Sequence, residues 1–195
     1  MPDPLVLGFD TSAAHCAAAL LSGNRLIASA QEEMAKGQAE RLMPLVEEML
    51  AGAGATWRDL ALIGVGTGPG NFTGIRISVA AARGLALSLG IPAIGISATE
   101  ALAYGLPRPC RIVIPGRRDT VIWQDFVGTA TTPQQDDKTA LPPGPPVAHP
   151  RVTIAEGIAR LALERSTSPQ PRPSPIYLRP ADAAPARDHG PRILP

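Results

Sequence analysis

The chain has 195 residues, 18 lysines and arginines against 17 acids for a net charge of +1, 45% hydrophobic and 4% aromatic residues. That length suits one domain or two small ones with an aliphatic core. The near-neutral balance excludes a protein that grips nucleic acid by its own electrostatics, and two cysteines, Cys16 and Cys110, exclude a disulfide framework.

The opening Met-Pro-Asp-Pro carries an acid and no basic segment, so no signal peptide is expected, and no apolar run reaches the length of a membrane span. The expectation is a cytoplasmic, soluble protein without a membrane partner. Leu5 to Asp10 reads as a buried strand ending in a carboxylate. Thr11 and Ser12 turn the chain into a strand from Cys16 to Leu21, and Ser22-Gly23-Asn24 forms a hairpin into a third strand, Arg25 to Gln31. Leu42, Leu45, Val46, Met49, Leu50 and Ala53 recur as one stripe of an amphipathic helix. Pro44 belongs in a first turn, which places the helix start near Glu40 or Arg41.

Leu62 to Val65 reads as a strand, residues 75–89 as a helix, Ile91 to Ile96 as a strand and Ala98 to Tyr104 as a short helix. The order β-β-β-α-β-α-β-α predicts a mixed five-stranded sheet with helices packed on it, over residues 1–105. Only five of the 22 prolines fall in that part. Residues 106–195 read as short elements joined by stiff linkers: a hairpin of Arg111–Ile114 and Thr120–Val127, a loop over 128–150, a helix from Thr153 to Glu164, a strand-sized Ile176–Leu178 and a tail from Pro180.

Between the strand at 62–65 and the helix at 75–89 lies Gly-Val-Gly-Thr-Gly-Pro-Gly-Asn-Phe-Thr-Gly-Ile-Arg, residues 64–76. A glycine-rich turn that opens a helix is a place for an anion or for close packing. It lacks the lysine of a P-loop, and the third glycine of a dinucleotide fingerprint falls on Pro69 or Thr73. Thr67, residues 71–73 and Arg76 would meet an anion; the alternative is a tight turn. Asp10, Thr11 and Ser12 stand where actin-like ATPases organise metal and phosphate, while on residue types alone an Asx-type turn is the simpler reading. His15, His149 and His189 have no acidic or cysteine neighbours at ligand spacing, and Gly-x-Ser-x-Gly is absent. Ser97 or Thr99 caps a helix. Ala80, Ala81, Ala82, Gly84, Ala86 and Ser88 widen the small and apolar surface of helix 75–89 beyond one stripe, which suits either a partner's helices or the neighbouring helix of the same domain.

Leu7-Gly-Phe-Asp-Thr-Ser12, Lys36-Gly-Gln-Ala-Glu-Arg-Leu-Met-Pro44, Gly66-Thr-Gly-Pro-Gly-Asn-Phe-Thr-Gly-Ile-Arg76, Gly84-Leu-Ala-Leu87 and Gly90-Ile-Pro-Ala-Ile-Gly-Ile-Ser97 resemble the TsaB (YeaZ) family in order and spacing, covering about residues 5–105. Farther on, Arg117-Arg118-Asp119 before Val121-Ile-Trp-Gln124, and Ile176-Tyr-Leu-Arg179 with Asp182-Ala183, resemble later signatures of the family. The resemblance implies an α/β, actin-like ATPase (ASKHA) fold with an N-lobe over 1–105 and a shortened, proline-rich C-terminal lobe and tail over 106–195. It implies a non-catalytic subunit that pairs with TsaD, the transferase making threonylcarbamoyladenosine in tRNA, joined by the ATPase TsaE. Without TsaD the family's chains form a homodimer. tRNA is reached through the complex.

The N-lobe helices are implied to form the interface, through Leu42, Leu45, Met49, Ile75, Arg76, Val79, Ala82 and Ala86. Asp10, Thr11, Ser12, Gly68, Gly70 and Thr73 would line a vestigial nucleotide cleft. No cofactor is required by the chain, with ATP or ADP accommodated at the complex interface. Two departures stand out: the second lobe is short for walling such a cleft, and Gln38 stands where relatives often have histidine. The alternative from another class is an actin-like nucleotide-binding phosphotransferase or ATPase; protease activity is not expected.

Overall fold

The computed structural model describes residues 3–128 and 131–178. Strands β1 (Leu5–Asp10), β2 (His15–Ser22) and β3 (Arg25–Glu33) form an antiparallel meander, and β4 (Leu60–Gly66) and β5 (Ala93–Ile96) add to it in parallel, giving the order β3-β2-β1-β4-β5. This is the mixed five-stranded sheet expected, and with helices on both faces it is the actin-like α/β fold. The continuous apolar run of β2 is explained by burial on both faces. Leu7, Phe9, Cys16, Ala18 and Leu20 enter one core with helices α1 (Gln38–Gly52) and α2 (Phe72–Leu89). Val6, Ala17, Ala19 and Leu21 enter another, beneath α3 (Ala98–Leu102) and α4 (Ile154–Arg165).

Helix α1 begins at Gln38, earlier than the proline predicts, and Pro44 sits in its second turn. Pro44 and Glu40, whose carbonyl loses its partner, are both exposed, so water can take the bond that the ring removes. The buried stripe of Leu42, Leu45, Val46, Met49 and Leu50 holds the helix to the sheet. Helix α2 starts three residues before the expected position because the Asn71 side chain accepts from the Thr73 and Gly74 amides at 3.0 and 3.1 Å. Contrary to the expectation from the sequence, α2 has the length and composition of a membrane span, with 18 residues at a mean hydropathy of 1.2. Its inner face, from Ile75 through Val79 to Ala82, is buried in this domain.

Helix α4 comes from beyond residue 105 but packs on the first sheet, where Gly8 lies under Ala155 and Ala159, and Gly64 under Ile158 and Ala162. The second sheet is β6 (Cys110–Pro115), β7 (Thr120–Phe126) and β8 (Gln134–Asp137), all antiparallel. Strand β8 lies inside the segment read as loop. Its sequence, Gln-Gln-Asp-Asp, has no apolar alternation, and it adds at an edge by pairing with β7 and by accepting the Trp123 Nε1 bond on Asp136 at 2.7 Å. The proline-rich loop is tied down by Arg111, 4% exposed, which grips Asp125 with two nitrogens and donates to the Pro142 carbonyl at 2.6 Å. No strand forms over Ile176–Leu178; an irregular segment runs there beside the glycine-rich loop. Arg179, Asp182, Ala183 and the tail from Pro180 lie outside the described residues.

Both cysteines are buried. Burial, together with the charge of Glu32, pushes the Cys16 thiol up to about 11. Only the thiolate is a good nucleophile, so iodoacetamide at pH 8 is expected to leave Cys16 unmodified in the folded chain and to alkylate it after denaturation, as read by peptide mass spectrometry.

Candidate functional site

The C-terminal ends of β1, β4 and β5 bring the Asp10-Thr11-Ser12 turn, the glycine-rich loop and Ser97 together. Asp10 is 0% exposed. Its Oδ1 accepts from the Ser12 amide and hydroxyl, each at 2.9 Å, and lies 2.7 Å from His15 Nε2. Its Oδ2 is closed in against Gly66 with no partner among the described residues. His15 therefore does have an acidic neighbour, against the expectation from spacing along the chain. The hairpin register pairs Asp10 with Ala17, so positions 15 and 17 share the face of Asp10. Among the described residues no three of His, Cys, Asp and Glu gather as a metal site.

The loop closes directly on this turn. Thr11 Oγ1 donates to the Gly74 carbonyl at 2.7 Å, and the Asn71 amide donates to the Ser12 carbonyl at 2.6 Å. A Cβ at Gly74 would collide with the Thr11 carbonyl, and one at Gly70 with the Ser12 carbonyl, so glycine is what lets the two backbones meet. Of the expected cleft residues, Asp10, Thr11, Ser12 and Gly68 are thus buried together, while Gly70 and Thr73 are exposed. This arrangement does not fit a nucleotide phosphate. The Thr73 and Gly74 amides, which a phosphate at the start of α2 would need, already bond Asn71, and the hydroxyls of Thr11 and Ser12 are also committed.

Nor does Ser12-His15-Asp10 form a hydrolytic relay. There the imidazole must stand between the hydroxyl and the carboxylate; here the carboxylate stands between the hydroxyl and the imidazole, and all three are buried.

The expected partner-interface residues divide sharply. Leu42, Leu45, Met49, Ile75, Val79 and Ala82 are buried in the chain's own core and cannot meet a partner; Ala86 is half-buried and Arg76 exposed. That stripe is the face packed on the sheet and on the other helix, whereas Ala80, Gly84 and Ser88 of the wider small-residue surface are exposed. The outer face of the same helices carries instead Arg76, Ala80, Arg83, Gly84 and Leu87 on α2, with Pro44, Glu47 and Ala51 on α1. Leu87 is 87% exposed.

Between the two sheets lies a cleft of about 620 Å³ lined by residues including Ser97, Glu100, Tyr104, Gln124, Phe126 and Arg165. Ser97 caps α3, accepting from the Glu100 amide at 3.2 Å, and Glu100 pairs with Arg165 of α4 at 2.7 Å. Burial alone would raise the Glu100 carboxyl, but bonds from Arg165 and Ser97 outweigh it and hold the group below its ordinary value.

The family model of TsaD, tRNA N6-adenosine threonylcarbamoyltransferase, matches residues 27–140. The tRNA threonylcarbamoyladenosine biosynthesis protein TsaB of Buchnera aphidicola (subsp. Schizaphis graminum) is 32% identical over 140 residues, 69% of this chain and 66% of that protein. The Escherichia coli protein of the same name is 29% identical over 157 residues, 78% of this chain and 68% of that protein. The chain thus spans about two thirds of the length of these two relatives. YeaZ from Pseudomonas aeruginosa superposes with a TM-score of 0.73 at 26% identity, over 90% of this chain and all of that one.

Proposed function

The chain belongs to the TsaB family, and from that premise we propose that it is a non-catalytic docking subunit in the synthesis of threonylcarbamoyladenosine in tRNA. Its partner is TsaD, which transfers the threonylcarbamoyl group to N6 of the adenosine next to the anticodon. The single observation that carries the reading is the outer face of α2: small residues, no acid and Leu87 standing 87% exposed. A lone exposed leucine is ordinary, but this one stands beside Gly84, where a Cβ would meet nothing within 4 Å. An exposed glycine inside a helix costs about 1 kcal/mol relative to alanine, and close approach of a partner helix offsets that cost.

The interface proposed here uses Arg76, Ala80, Gly84 and Leu87 with the outer side of α1, rather than the buried stripe. Pairing by this face would hold TsaD in its productive conformation, and in its absence the same face would join two copies of this chain. TsaE binds the pair, and tRNA is held by the complex in the cytoplasm. The closed Asp10 turn supports a chain that needs no nucleotide of its own, leaving ATP or ADP to the interface with TsaD.

Depletion of the chain in its host, followed by mass spectrometry of tRNA nucleosides, tests this. Threonylcarbamoyladenosine is expected to fall severalfold and to return when the gene is restored; an unchanged level contradicts the reading.

A further inference from the structure

Ile176 and Tyr177 close onto the first turn of α2. The Ile176 amide donates to the Thr67 carbonyl at 2.8 Å. That bond seats Tyr177 beside Phe72, with ring centroids 4.9 Å apart. The Arg76 guanidinium lies over the Phe72 ring at 3.7 Å, and its Nε donates to the Tyr177 hydroxyl at 2.9 Å. An exposed arginine is usually free to choose among rotamers, and fixing it on binding costs entropy. Here the side chain is set before any partner arrives, and among the described residues its only hydrogen bond is made by Nε, not by the terminal nitrogens.

Neither Arg76 nor Arg83 has a carboxylate partner among the described residues. At 3.6 residues per turn, Arg76, Ala80, Arg83 and Leu87 fall on one line of the helix, and the sequence of α2 contains no acid. A purely apolar partner would strip water from two guanidinium groups and return nothing. Resting on the docking reading above, we propose that Phe72 and Tyr177 hold Arg76 as a fixed prong for a carboxylate of the partner subunit. The partner face is small and apolar at its centre, with acids placed to meet Arg76 and Arg83. Tyr177, from the far end of the chain, is thereby a positioning residue for the interface.

The test is titration calorimetry of the full chain with its cognate TsaD across a range of salt concentrations, with the melting temperature of each variant as a control. Wild-type affinity is expected to fall with salt. Arg76→Gln is expected to weaken pairing about tenfold and to flatten the salt dependence. Tyr177→Ala is expected to weaken it about fivefold, and Tyr177→Phe, which keeps the ring but loses the acceptor oxygen, by less. Wild-type affinity in the Tyr177 variants overturns the proposal, as does an Arg76→Gln loss with an unaltered salt dependence. If the variants weaken only self-association of the chain, the occupant is a second copy and the proposal fails. Gly84→Arg separates the two levels: if it blocks pairing while the Arg76 and Tyr177 variants bind normally, only this proposal falls, and if it too binds normally, the docking reading falls with it.

Discussion

Gly84→Arg is expected to make the free chain more stable and to abolish its pairing with TsaD. The helical position is open, with nothing within 4 Å of a built Cβ, so the larger side chain meets no clash within the chain. Replacing glycine by a good helix former in a helix interior gains about 0.8 kcal/mol. For a chain of this size that corresponds to a rise in melting temperature of about 2 °C. At the interface the same side chain fills the gap into which a partner helix would pack. Loss of binding in a protein that melts higher cannot be ascribed to misfolding. Val79→Asp and Ala82→Asp make the contrast: Val79 is 3% and Ala82 0% exposed, so a carboxylate there enters the core unpaired. The cost is on the order of 4 kcal/mol or more, a large part of the 5–15 kcal/mol that holds a typical domain together. Calorimetric melting of the variants, followed by co-elution with TsaD, checks both.

Gly74→Val is expected to cost about 3 kcal/mol, read as a lower urea midpoint with little change in slope. The new Cβ would fall on the Thr11 carbonyl, forcing the start of α2 away from the turn. The Thr11–Gly74 and Ser12–Asn71 bonds would then break, and the carboxylate of Asp10 would lose its cover while buried. Were the loop an open phosphate cradle, the same substitution would leave stability nearly unchanged and alter only nucleotide binding. A neutral urea midpoint would therefore point back to the nucleotide-binding alternative.

Much of the N-lobe is legible along the chain because its signals are local. The unbroken apolar run at 16–21 is what a strand buried on both faces requires, and the spacing of Leu42, Leu45, Val46 and Met49 marks the inner face of α1. The same periodicity misleads about function, since a stripe shows which residues are buried and not what buries them. Val79 and Ala82 are covered by this chain's own core, so the proposed docking face is read from the polar and small residues opposite. Other features depend on distant neighbours. The Asp10–His15 pair appears only when the hairpin register is known, and α4 covers Gly8 and Gly64 from about 100 to 150 residues away in sequence. Strand β8 has no apolar signature because edge pairing asks only for backbone. Tyr177 looks like part of a last short strand, yet its contacts are with Phe72 and Arg76, more than 100 residues earlier.

The most direct measurement is transfer of threonylcarbamoyl from its adenylate to tRNA by purified components: TsaD with TsaE, the same mixture with increasing amounts of this chain, and this chain alone. A docking subunit predicts no transfer by the chain alone and a rise in TsaD turnover that saturates at one chain per TsaD. Turnover by the chain alone, or TsaD activity indifferent to its addition, would contradict it.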